Sequence, residues 1–283
     1  MNLTLITAAL MILAALAVVA IATGAVLAAT GTDDDPSRRA RQRIRALYGA
    51  AALVGVILAL VAVYVFPTVY VNATEVPGLL AALGPSVAGL AFVLIAALGE
   101  ALWPRPKGER RGAYLERRPV FANAADLTKW ASATWGALLA GALLFFGYAA
   151  ASDGDSPGRS IAYVSNTAQS AGWHGPFPGW PYGIPMLIAA AVLVVAAIVV
   201  LHLIARRPAV HGTTSARDAD LRRVSATNLL KGVQLSLASS LSGVLIIAGY
   251  AAHPAGWWWG IPALALAGVV MLGAFIVLAV RSR

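Results

Sequence analysis

The chain has 283 residues, of which 59% are hydrophobic and 12% charged, and its net charge is +9. A chain this apolar cannot hide its hydrophobic surface in a water-soluble core, so the composition excludes a soluble globular protein and indicates a polytopic membrane protein. The sequence contains no cysteine, which excludes disulfide bonds, thiolate metal sites and a cysteine nucleophile.

Seven nearly uncharged windows of about 20 residues are long enough to cross the roughly 30 Å hydrocarbon layer as helices. The windows cover residues 3–29, 47–66, 80–103, 131–151, 184–205, 230–252 and 258–280. They are continuous runs rich in Ala and Leu, without the alternation that a transmembrane β-strand requires. We therefore predict an all-α fold, a single transmembrane helical bundle that occupies residues 1–283.

The N-terminal window is interpreted as a span and not as a cleaved signal peptide, because no Lys or Arg precedes it and its apolar run is long. The loop that follows begins with acids and continues with arginines, which predicts a short basic helix on the membrane surface. Its acids, Asp33, Asp34 and Asp35, resemble the clusters that hold magnesium and diphosphate in membrane transferases. No second acidic motif faces them, so we expect a solvated loop.

Basic residues lie almost wholly in alternate loops. Of the 21 lysines and arginines, only Arg159 falls on the other side. The positive-inside rule then places the N-terminus outside and the C-terminus in the cytoplasm, and we expect a multi-pass protein of the cell (plasma) membrane. The basic cytoplasmic face suits anionic lipid head groups. Because the positive charge is concentrated in alternate loops on one side of the membrane, no nucleic-acid partner is expected.

The largest external segment is predicted at 152–180, where "SIAYVS" is compatible with a short strand or an extended lid. His174 and His253 project on this side together with Asp153 and Asp155, and they are the candidate ligands of a zinc or copper ion. Their spacing matches no metal signature, so exposed loop histidines are the preferred interpretation.

No cofactor is expected. Only His202 lies near a span, so two facing histidines cannot be assembled for a buried haem. The seventh span contains no lysine for a retinal Schiff base.

An internal repeat relates residues 125–205 to residues 219–280. The phrases "ADL", "SAT", "GYAA" and "GWPYGIP" recur in the same order, the last as "GWWWGIP". Each unit is predicted to be a helical hairpin that begins on the cytoplasmic side, so the repeat is parallel. A weaker third copy covers the second and third spans. The expected architecture is one N-terminal helix plus three parallel-repeat hairpins.

The aromatic phrases of the repeat are predicted to anchor helix starts at the membrane interface. Rings with a polar group prefer the head-group level, and a proline in the first helical turn loses no hydrogen bond. The anchors are Trp180, Tyr182, Trp257, Trp258 and Trp259. The functional alternative is an aromatic cage for a cationic ligand.

The sixth span is the most polar one. Gln234, Ser236 and Ser240 outline a possible polar pathway for a substrate, whereas small polar residues in a membrane helix more often let helices pack and hydrogen-bond. We favour packing. Glu100 and His202 lie close to basic loops and are expected to reach the cytoplasmic interface.

The segments "GEALWPRPKGERRGAYLERR" at 99–118, "GPFPGWPYGIPML" at 175–187 and "DADLRRVSAT" at 218–227 resemble an uncharacterised family of polytopic integral membrane proteins, of about seven helices, from high-GC actinobacteria. The likeness covers most of the chain after the first helix. It implies a shared topology and carries over no activity or site residue.

Three classes of function remain. The leading hypothesis is a non-enzymatic scaffold or accessory subunit of a membrane transport, respiratory or envelope complex, with membrane lipids and other membrane proteins as partners. The second is a small transporter or channel with a route along the sixth span. The third is a lipid-modifying enzyme with the external His and Asp residues as its site. No catalytic motif is recognisable, so an enzyme is the least expected of the three.

Overall fold

A computed structural model describes residues 35–64, 76, 78–103, 120, 124–151, 158–164, 171–210 and 213–280. In this part of the chain six helices are long and apolar enough to cross a membrane, which confirms the predicted all-α helical bundle. The helices are α1 Pro36–Tyr64, α2 Leu79–Ala101, α3 Asp126–Ala149, α4 Trp180–Arg206, α5 Ser215–Ala252 and α6 Gly260–Ala279. The first predicted span, 3–29, lies outside the described residues.

Two helices begin well before the apolar windows that predicted them. The basic segment expected to form a separate surface helix is instead the first part of α1, which begins at Pro36 and continues without a break. The side chain of Asp35 caps this helix and accepts a 2.8 Å hydrogen bond from the Ser37 backbone N–H. Helix α5 begins at Ser215, where the Thr214 hydroxyl accepts a hydrogen bond from the Arg217 N–H.

Helix α5 is the centre of the bundle. It packs against each of the other five helices of the described chain. In its apolar window 67% of the residues are buried, compared with 22–39% in the windows of the other five helices. At 38 residues and 1.5 Å per residue it is about 57 Å long, so it must extend beyond the hydrocarbon layer.

Consecutive helices run in opposite directions, because the start of one helix lies at the same end of the bundle as the end of the next. Arg43, near the start of α1, donates from Nη2 to the carbonyl oxygen of Leu102, just after the end of α2. The Ala125 N–H, at the start of α3, donates to the Thr227 hydroxyl of α5. Lys231 of α5 donates to the Leu278 carbonyl, near the end of α6. We call this the basic end.

The opposite end carries the repeated aromatic phrases, and we call it the aromatic end. Its loop between α3 and α4 contains a two-stranded antiparallel sheet of β1 Ile161–Val164 and β2 Ala171–His174. Strand β1 lies within "SIAYVS" and is the short strand, one of the two alternatives that the sequence left open there. The Trp257 indole N–H donates to the Ala162 carbonyl oxygen at 3.0 Å, so the phrase before α6 also holds the sheet.

Glycines permit two close helix contacts at this end, one in each copy of "GYAA". A Cβ placed on Gly147 would lie 2.8 Å from ring atoms of Trp180, and one on Gly249 would lie 2.8 Å from the carbonyl oxygen of Gly260. Real Cβ atoms do not approach backbone oxygens this closely. The glycine of each copy therefore faces the aromatic phrase that begins the next helix, which gives a packing reason for the paired repetition.

We expect Gly249→Ala to lower the stability of the bundle by about 1–3 kcal/mol, because the added methyl group meets the rigid backbone at Gly260. Gly243→Ala is the matched control in the same helix, since its Cβ would meet nothing within 4 Å. The control should be neutral or stabilising by up to about 1 kcal/mol through helix propensity. Thermal unfolding in mild detergent measures both. Equal stability of the two variants would contradict the close approach.

Candidate functional site

The polar face of α5 is buried between neighbouring helices. Gln234 is fully buried; its Oε1 accepts a 3.0 Å hydrogen bond from the Trp135 indole of α3, and its Nε2 donates to the Ala274 carbonyl of α6 at 3.2 Å. One side chain therefore links three helices. Its polar atoms are engaged by protein, which is how a buried amide avoids the cost of desolvation.

Three serines of α5 make similar contacts. The hydroxyl of Ser236 donates to the Pro85 carbonyl of α2 at 2.7 Å, and that of Ser242 donates to the Ala267 carbonyl of α6 at 3.0 Å. Ser240 lies 3.4 Å from the hydroxyl of Ser86, also on α2. The residues of the predicted pathway, Gln234, Ser236 and Ser240, are thus each within hydrogen-bonding distance of another helix.

A buried ion pair joins helices at the basic end. The Glu100 carboxylate, near the end of α2, lies 3.2 Å from Nη1 of Arg207, which follows α4, and neither side chain is exposed. The same Nη1 donates to the hydroxyl of Ser225 on α5 at 3.2 Å. The Arg207 guanidinium stacks on the ring of Trp103, 4.0 Å from its centroid. Because such a pair is desolvated, it is stable only with close geometry and these additional contacts.

A second buried pair extends this cluster along α5. The Asp218 carboxylate lies 2.5 Å from Nη2 of Arg222, and the same nitrogen donates to the Arg207 carbonyl oxygen at 3.2 Å. Arg43 of α1 adds a third guanidinium, 5.5 Å from the Trp103 ring. We call Glu100, Trp103, Arg207, Asp218 and Arg222 the ionic cluster. It connects α2, α4 and α5 at one end of the bundle.

Sequence reasoning expected Glu100 to reach a hydrated interface and did not identify the ionic cluster. Arg207 lies more than 100 positions away in the sequence, and nothing in the local pattern pairs it with Glu100. The available signal was Trp103, which follows Glu100 by three residues and supplies the ring on which Arg207 stacks.

A lateral groove lies between α1, α2 and α5, with a volume of about 500 Å³. Its wall is mostly apolar and includes Val56 of α1, Phe92 of α2 and Leu235 of α5. Ser236 and Ser239 lie on the α5 side of the groove. Gly49, Ala52 and Val56 are exposed, so the groove opens toward the surface that lipid would cover.

His174 and His253, the candidate metal ligands, lie in different elements at the aromatic end. His174 is in β2, where its ring lies 4.7 Å from the ring of Tyr163, and His253 caps the end of α5. Asp153 and Asp155 lie outside the described residues. Among the residues that are described, no group of three or more His, Asp or Glu side chains is placed to hold a metal ion. The metal site stays a prediction.

The aromatic residues predicted as interface anchors occupy two different environments. Trp258 is 82% exposed and Trp257 is 45% exposed, which suits contact with lipid head groups. Trp259 instead packs against the core and stacks on Phe146 at 5.7 Å between ring centroids. Tyr182 is buried, and Trp180 packs edge-on against Tyr148. The phrases therefore contribute to core packing as well as to the surface.

Comparison of the chain with protein-family models, with curated proteins and with solved structures found no match.

We expect Glu100→Leu to destabilise the protein by about 3–5 kcal/mol, because Arg207 would remain buried without its counter-charge. The double change Glu100→Leu with Arg207→Met removes both charges and should recover most of the loss. Asp220→Asn is the control, since the Arg41–Asp220 pair is half exposed and such pairs contribute about 0–1 kcal/mol. Unfolding in detergent compares the variants. If Glu100→Leu destabilised the protein as little as Asp220→Asn does, the Glu100–Arg207 pair could not be desolvated.

Proposed function

We propose that the protein is a non-enzymatic scaffold, an accessory subunit of a membrane transport, respiratory or envelope complex. The observation that supports this proposal is that the polar side chains of α5 form hydrogen bonds with neighbouring helices. Gln234 and three serines are directed to neighbouring helices, where they hold the bundle together. A helix whose polar side chains serve packing provides rigidity, which is what a scaffold requires.

The ionic cluster supports the same role. It fixes the ends of α2 and α4 to α5 through buried charges, and in such a network the loss of one partner is costly. The outward faces of α4 and α6 remain apolar, with Ile188 and Val195 on α4 and Val269 and Leu272 on α6 all at least half exposed. These faces would contact lipid or the helices of a partner protein.

We further propose seven spans in the plasma membrane, as one N-terminal helix and three parallel-repeat hairpins, with the N-terminus outside and the C-terminus in the cytoplasm. Support comes from the distribution of charge. Arg43, Arg207, Arg222 and Lys231 lie at the basic end, whereas Arg159 lies next to the sheet at the aromatic end. The positive-inside rule assigns the basic end to the cytoplasm.

A small transporter or channel is the second candidate, and the lateral groove is the observation that favours it. Ser236 and Ser239 give the groove a few polar groups beside its apolar wall. For this function, flux in reconstituted vesicles should be lost in Ser239→Leu while the unfolding temperature is retained. Flux that does not change on this substitution would exclude the route.

Gentle extraction of the tagged protein from its native membrane tests the scaffold role. We expect one or more membrane proteins to co-purify at fixed stoichiometry through two chromatographic steps, and we expect purified, reconstituted protein to carry no flux. The control is the same tag on an unrelated polytopic protein from the same membrane. A protein that is reproducibly solitary, or that transports a solute alone, would contradict the proposal.

Labelling with a membrane-impermeant maleimide tests the orientation, and the absence of native cysteine removes background. Trp258→Cys is expected to react in intact cells, and Arg223→Cys only after permeabilisation. Both positions are exposed, at opposite ends of the bundle. Reaction of Arg223→Cys in intact cells would reverse the orientation.

A further inference from the structure

The lateral groove combines an apolar wall with positive charge at one end. Arg45 and Lys231 line it near the basic end, and none of the described residues that line it is acidic. Arg45 is exposed and has no ion-pair partner among the described side chains. The mouth of the groove therefore attracts a negatively charged group, whereas the mostly apolar remainder favours an apolar one.

The groove follows one face of each helix that lines it. On α1 the lining runs from Arg45 through Gly49 and Ala52 to Ala59, a distance of about 21 Å at the helical rise of 1.5 Å per residue. Half of the hydrocarbon layer is about 15 Å thick. A single lipid acyl chain that enters beside Arg45 therefore has room along its length.

Lys231 is held in place at the mouth. Its ammonium donates to the Leu278 and Val280 carbonyl oxygens at 2.8 Å each, and one of its three N–H groups remains for another acceptor. Asn228, one helical turn before it, also lines the groove and provides an amide donor. An arginine, an ammonium and an amide together are suited to the oxygens of a phosphate.

We propose that the groove binds an anionic phospholipid from the leaflet at the basic end, with its phosphate between Arg45 and Lys231 and one acyl chain between α1, α2 and α5. Charge complementarity selects the head group, and the apolar wall holds the chain. The exposed residues Gly49 and Ala52 leave the side of the groove open to the bilayer, so the lipid enters laterally. Lipid binding here is independent of the scaffold role.

Gly49 offers a way to fill the groove without moving the backbone. A Cβ on Gly49 meets nothing within 4 Å, and the same holds for Gly141 on α3, outside the groove. Gly49→Trp places a large ring in the proposed acyl path, and Gly141→Trp is its matched control. For the head group, Arg45→Gln removes the mouth charge, and Arg223→Gln removes another exposed arginine of the same end.

Native mass spectrometry of the full-length protein in mild detergent, titrated with phosphatidylglycerol or phosphatidylcholine, tests the proposal. The wild type should retain phosphatidylglycerol preferentially, as one tightly bound copy. Arg45→Gln should weaken that retention about fivefold, the equivalent of ~1 kcal/mol for one charge near a lipid phosphate. Gly49→Trp should abolish the tight copy, while Arg223→Gln and Gly141→Trp should behave as the wild type.

Equal retention by each variant and its matched control would overturn the proposal, as would equal retention of the two lipids by the wild type. Cross-linking in the full-length protein distinguishes two alternative occupants of the groove. A disulfide between Gly49→Cys and a cysteine placed within residues 3–29, without preference for phosphatidylglycerol, would identify the N-terminal segment as the occupant. A lipid-free dimer cross-linked through Gly49→Cys would identify a second copy. Either result contradicts lipid binding.

Discussion

A polar side chain inside a bilayer has no water to bind, so it must find its partner within the protein, and the structure depends on this constraint. Helix α5 carries more polar side chains than any other described helix, and it is also the most buried of them. These two properties have one cause. Gln234 reaches α3 and α6, and Ser236 reaches α2, so placing α5 at the centre satisfies its polar groups and sets the positions of its neighbours.

The two ends of the bundle are closed by different interactions. At the aromatic end glycines bring backbones together, as Gly249 does against Gly260, so packing there depends on the absence of side chains. At the basic end buried charges connect α2, α4 and α5 through Glu100 and Arg207. The lateral groove separates parts of α1, α2 and α5, and there the surface presents positive charge beside an apolar wall. Ends that are tied by buried contacts, with a groove along α1, α2 and α5, fit the proposed scaffold that holds a lipid.

The sequence was sufficient to predict the six described helices as apolar segments, because hydropathy reports burial in lipid directly. It did not predict that α5 begins at Ser215, since the capping Thr214 and the polar, basic first part of the helix carry no continuous apolar signal. The partnership of Glu100 with Arg207 depends on tertiary proximity between distant segments. The inward packing of the Trp259 ring on Phe146 also depends on tertiary proximity. The phrase that contains Trp259 is typical of a membrane interface. The polar residues of α5 were expected to serve packing, but their partners on α2, α3 and α6 depend on the tertiary structure.

Water accessibility of the polar face of α5 tests the central claim most directly, and the natural absence of cysteine makes the measurement clean. The protein would be reconstituted in lipid bilayers with Ser240→Cys or Ser242→Cys, and the rate of reaction with a small water-soluble thiol reagent would be measured. Trp258→Cys, at a highly exposed position, is the positive control. The account predicts that both buried positions stay unreactive while the control is modified rapidly. Modification of Ser240→Cys at a rate near that of the control would show that α5 faces water, and would contradict the account.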